Sequence, residues 1–82
     1  MKFLVELHLT PGSQAKALDI FELRGPNRNP GVTIQQAWVD TRAHIVFVLA
    51  HSDDELLVEN AASTWSEFGE CRIHPVIDIE QF

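Results

Sequence analysis

The sequence holds one cysteine, Cys71, so no disulfide can close within the chain. It has only six Lys and Arg against twelve Asp and Glu, a formal net charge of −6. The basic residues are scattered and form neither a patch nor an amphipathic stripe. That excludes the electrostatic footprint of a nucleic-acid binder and of a helix on an anionic membrane surface. Long apolar runs are missing as well: the longest, Ile45 to Ala50, is far too short to span a bilayer. The opening MKFLVELHLT lacks the unbroken apolar stretch and small-residue cleavage site of a secretory signal. H-x-H, HExxH and CxxC spacings are absent, so no metal or other cofactor site is written as a motif. Low-complexity tracts and internal linkers are absent too. These absences describe a cytoplasmic protein with no nucleic-acid or membrane partner and no cofactor.

What is present is an ordinary globular composition, 45% apolar and 22% charged. Eighty-two residues, 1–82, make one small domain. A chain of this size buries only about 60% of its unfolded surface, so self-association adds useful apolar burial.

Residues 2–10 alternate, with Phe3, Val5, Leu7 and Leu9 on one side and Lys2, Leu4, Glu6 and His8 on the other. That is a strand with one wholly apolar face. TPGS breaks it, and Thr10 or Ser13 is placed to cap a following helix through QAKALDIFEL, whose apolar positions include Ala17, Leu18 and Phe21. Gly25 and Pro26 suit the stop of that helix. VTIQQAWVD and AHIVFVLAH read as two strands joined by a tight hairpin at Asp40. Ser52 and Glu55 fit an S-x-x-E capping box, and Leu57, Ala61, Trp65 and Phe68 form a buried helical stripe ended by Gly69. ECRIHPVIDI is the last strand. Its Pro75 suits an edge, where a missing N–H need not pair inward.

The order β-α-β-β-α-β is the split β-α-β, or ferredoxin-like, α+β pattern: a four-stranded antiparallel sheet, ordered 4-1-3-2, with two helices on one face. The uncovered face is expected to carry Leu4, Val46, Val48 and Val76 among Glu6, His8, His44, Arg72, His74 and Asp78. So many aliphatics call for a cover, and a second copy of the same face gives a two-fold homodimer.

GVTIQQAW, the helix start SDDEL, the pair Trp65 and Phe68, PVIDIEQF and the opening MKFLVELHLTPG together resemble the bacterial family catalogued as domain of unknown function 3303. The resemblance spans nearly the whole chain. It implies a ferredoxin-like domain of the dimeric α+β barrel type, with glycine-rich hairpin turns where this chain has Asp40-Thr41-Arg42-Ala43. It implies no established activity, so no catalytic residues are carried over.

The candidate ligand-binding residues are Glu6, His8, Trp38, His74 and Asp78. If the first and last strands pair about their midpoints, His8 and His74 face each other, with Glu6 and Asp78 on the same side. Two imidazoles and a carboxylate run acid–base chemistry or hold a transition metal. The plainer role is polar trim at a dimer interface. Trp65 reads as core. Trp38, with Ile34 and Gln36, is core or ligand platform. Cys71 reads as a packed thiol, Asp53-Asp54-Glu55 as helix capping, and His44 and His51 as solvent-facing. The leading reading is a homodimer with a small-molecule cavity. The rivals are a cofactor-independent monooxygenase or isomerase, by fold analogy only, and a regulatory or structural interaction module.

Overall fold

A computed structural model describes residues 1–17, 19 and 29–82. Four strands form one antiparallel sheet: β1 (Lys2–Leu9), β2 (Thr33–Asp40), β3 (Ile45–His51) and β4 (Gly69–Val76). Residues 14–17 and 19 are helical and belong to the first helix, α1; the second, α2, is Glu55–Ser63. A 3-10 turn, Ile79–Gln81, follows β4. The sheet order is β2-β3-β1-β4, the expected ferredoxin-like order read from the other edge. Pro75 therefore lies on an edge strand, opposite Phe3. Leu18 and Phe21, and the helix stop at Gly25 and Pro26, lie outside the described residues.

Alternation along β1 sets the core. Phe3, Val5 and Leu7 are fully buried and pack with Val48, Val58 and Ala61. Ala17 of α1 and Trp65 and Phe68 after α2 join the same cluster, so Trp65 is a core residue. Ser13 begins α1: its carbonyl accepts from Ala17 N–H at 2.9 Å, and its hydroxyl meets that of Thr10 at 2.6 Å. Gly69 starts β4 where it crosses β1. A Cβ there would sit 1.9 Å from the His8 carbonyl oxygen, so the close approach requires glycine.

Three local expectations are corrected. In β3, Val46 pairs with Leu7 and Val48 with Val5, so both valines face the helices. Ile45, Phe47 and Leu49 take the open face instead, beside His8, Glu6 and Leu4. The reason is a one-residue phase difference, which exchanges every side chain between faces. It arises because the hairpin turn is Thr41–His44: His44 adopts a left-handed φ of 57° and donates its N–H to the Asp40 carbonyl at 3.0 Å. His44 is thus a solvent-exposed turn residue rather than part of the open face. In β2, the register shifts between Ile34 and Gln36. This bulge separates Ile34, packed on the core, from Gln36 and Trp38 on the open side.

The third correction is the start of α2. Asp54 is the N-cap, its carboxylate accepting from Leu56 N–H at 2.9 Å. Ser52 is buried, and its hydroxyl donates to the Gly31 carbonyl at 2.8 Å. The hydroxyl that donates across 21 residues also accepts, from Asp54 N–H at 3.3 Å, so it ties the residue before the helix to the loop at Gly31 while Asp54 does the capping. The acidic cluster at 53–55 remains a capping feature, as the sequence suggests.

Candidate functional site

Period-two alternation aims Lys2, Leu4, Glu6 and His8 of β1 at the open face. β1 is central, so each has neighbours on both sides. Glu6 is flanked by Phe47 of β3 and Arg72 of β4. His74, two residues beyond Arg72 and on the same face, stands opposite Leu4. His8 stands opposite Glu70, so the two histidines do not face each other. They are offset by four residues along β1, because β4 is Gly69–Val76 and ends before Asp78, which moves the midpoint about which the strands pair.

Glu6 lies between them and engages both. Its Oε2 accepts a hydrogen bond from His74 Nε2 at 2.5 Å, and its Oε1 lies 3.5 Å from His8 Nε2. The second contact has an ion-pair distance but not hydrogen-bond geometry. His8 Nε2 is buried and has no hydrogen-bond partner. An imidazole nitrogen held away from water without a partner is a group that a ligand can satisfy. The Glu6 carboxyl is held below the usual glutamate range. The His74 hydrogen bond is the main cause. Partial desolvation opposes it, and the charges of His74, His8 and Arg72 add to it. Arg72 also lies 3.7 Å from Glu70.

A carboxylate that orients an imidazole is an acid–base unit: the anion fixes one ring nitrogen and leaves the other to exchange a proton. Around it lie half-buried Leu4, Ile45, Phe47 and Leu49 and partly exposed Trp38. Trp38 pairs with Phe47, two strands from Glu6, about 10 Å away by strand spacing.

Of the five sequence-derived candidates, Glu6, His8 and His74 come together. Trp38 shares their face at a distance. Asp78 does not join them, because it binds Lys2 Nζ at 3.0 Å. Among the described residues, no three His, Cys, Asp or Glu side chains are arranged to hold a metal ion. Cys71 packs toward the core, its thiol 3.6 Å from the Ala62 carbonyl, and burial pushes its pKa up. That is the opposite of an activated nucleophile.

Sequence reasoning missed a groove of about 660 Å³ at the Lys2 end of the sheet, lined by none of the five candidates. The signal was available: Lys2 is the first outward residue of the β1 alternation, and Val76 ends a strand followed by Ile77, Ile79 and Phe82. No helix among the described residues is long and apolar enough to cross a membrane.

The fold is similar to that in the crystal structure of an uncharacterized NIPSNAP domain protein from Burkholderia xenovorans. The TM-score is 0.59, with 14% identity over 95% of this chain and 95% of that chain. At that identity the likeness carries the fold alone, the ferredoxin-like α+β arrangement. No curated protein matches the chain. A family model covers it from residue 1 to residue 82, and the chain belongs to the family described as Domain of unknown function (DUF3303).

Proposed function

We propose that this domain self-associates through its open sheet face and binds a small molecule in the space enclosed there, with Glu6, His8 and His74 as the polar groups that contact it. The observation that carries this reading is the Glu6 carboxylate, hydrogen-bonded to His74 and 3.5 Å from His8, on an uncovered face with Leu4, Phe47 and Leu49. A half-buried apolar surface of this kind gains by being covered. A second copy offers the same aliphatics, and its cover would dry the polar group at the centre. Trp38 widens the face at the β2 edge. A cytoplasmic location belongs to this reading and rests on the lone thiol.

Light scattering across the micromolar range tests it. The expected mass is that of a dimer, and Leu49→Lys should shift it to a monomer without loss of secondary structure. A wild-type chain that stays monomeric overturns the reading. An acid–base enzyme is the second reading. It is favoured by the Glu6–His74 hydrogen bond, which sets one imidazole nitrogen and leaves the other for proton transfer.

A further inference from the structure

Lys2, His51 and Val76 form the last row of the open face, since Lys2 pairs with both of the others. Beyond Val76 the chain bends through Ile77 and Asp78 into the 3-10 turn. Gln81 N–H donates to the Asp78 carbonyl at 2.9 Å and Phe82 N–H to that of Ile79 at 3.2 Å. The bend raises a wall beside the row. Between wall and row lies the groove of about 660 Å³, with Met1, Val76, Ile77 and Phe82 as apolar lining and Lys2 and His51 as its basic side chains. That volume lies within the usual range for small-molecule sites.

The charged side chains of this groove are opposite in sign to the net charge of the chain. Acidic residues outnumber Lys and Arg twelve to six. Yet among the described residues no acidic side chain lines the groove, while Lys2 does. The Lys2 ammonium is held from outside the lining by Asp78, at 3.0 Å, and both side chains are well exposed. An exposed ion pair is weak and readily exchanged. Ile77 and Phe82 are exposed apolar groups, Phe82 completely so. Burying them needs an apolar body, and satisfying Lys2 needs an anion.

We propose that this groove binds a small amphipathic carboxylate. Its aliphatic or aromatic body covers Val76, Ile77 and Phe82. Its carboxylate replaces Asp78 on Lys2 Nζ, with His51 as a second donor. All of these residues belong to one chain, and Glu6, His8 and His74 are not among them.

Octanoate and octylammonium, which share a chain and differ in charge, are the probes, titrated into isotope-labelled protein and followed by NMR. Octanoate should give saturable shifts at Lys2, His51, Val76 and Phe82, and octylammonium should bind far more weakly. Two variants break the same ion pair with opposite consequences. Lys2→Gln removes the anion partner and should weaken octanoate about fivefold, the upper end for an exposed pair. Asp78→Asn removes the internal competitor, leaves Lys2 free and should tighten octanoate. If the ion pair only braced the wall, both variants would weaken binding alike, and that result overturns the proposal. So do equal binding of octylammonium, the absence of saturable shifts, or shifts centred on Glu6 and His74.

Discussion

Glu6 Oε2 accepts from His74 Nε2 at 2.5 Å, although Glu6 stands opposite Arg72 and His74 opposite Leu4. The bond is diagonal across two antiparallel strands, a reach that long side chains make on one face of a sheet. It links the central strand to the edge strand outside the backbone ladder, and it centres negative charge between two imidazoles and a guanidinium.

The first prediction follows from that charge. The Glu6 carboxyl should titrate below the usual glutamate range, and His74→Ala should bring it back up, because the His74 hydrogen bond is the main cause. A folded-state pKa below the unfolded one stabilises the protein fully above about pH 4.3, the unfolded value, and the effect fades as pH falls through the folded value. The urea midpoints of the wild type and Glu6→Gln should therefore differ at neutral pH and converge in acid. Carboxyl carbon shifts give the titration directly, and a midpoint at or above the usual range would contradict the geometry.

The second prediction separates Ser52 from Asp54. Asp54→Ala should cost about 1 kcal/mol through the lost helix cap. Ser52→Ala should cost about 1 kcal/mol through the lost hydrogen bond to the Gly31 carbonyl. Hydrogen exchange tells them apart: Ser52→Ala should speed exchange around residues 29–32, and Asp54→Ala in the first turn of α2. Fraying of α2 alone in the Ser52 variant would restore the capping-box role.

These two sites show what the sequence made legible and where it stopped. β1 could be read residue by residue because Glu6 and His8 punctuate one side of it. IVFVLAH carries no such punctuation. Its phase comes from the left-handed His44 turn, a tertiary choice without a glycine to announce it. The cap at Ser52 differs for a related reason: its hydroxyl is anchored to a carbonyl 21 residues away and accepts from Asp54 N–H, and Asp54 takes the N-cap position. Glu6, His8 and His74 were identifiable as face-sharing polar residues. Their arrangement depended on where β4 begins, and that is fixed by the contact of Gly69 with His8.

Gly69→Ala is the third prediction. Its Cβ would fall 1.9 Å from the His8 carbonyl oxygen and 2.7 Å from the carbonyl carbon, both backbone atoms that no rotamer change can move aside. The cost should be about 3 kcal/mol, the top of the usual overpacking range. The β1–β4 pairing should loosen, and the His8 imidazole resonances should shift. A urea midpoint equal to that of the wild type would mean that the strands approach less closely.

The two tryptophans report on the sheet face and the core separately. Trp65 is 9% exposed and packs in the core, whereas Trp38 is 45% exposed and shares the open face with Phe47. Trp38→Phe should remove the red-shifted, iodide-accessible part of the emission and leave a blue, shielded remainder from Trp65. An indole half in water is the polar-tipped aromatic that interfaces bury. In the wild type, the iodide-accessible part should therefore shrink as concentration rises through the dimerisation range, while the Trp38→Phe remainder stays constant. Accessibility of Trp38 that is independent of concentration, alongside a dimeric mass, would move the contact off this face. The Glu6–His74 pair would then keep the exposure it has in the single chain.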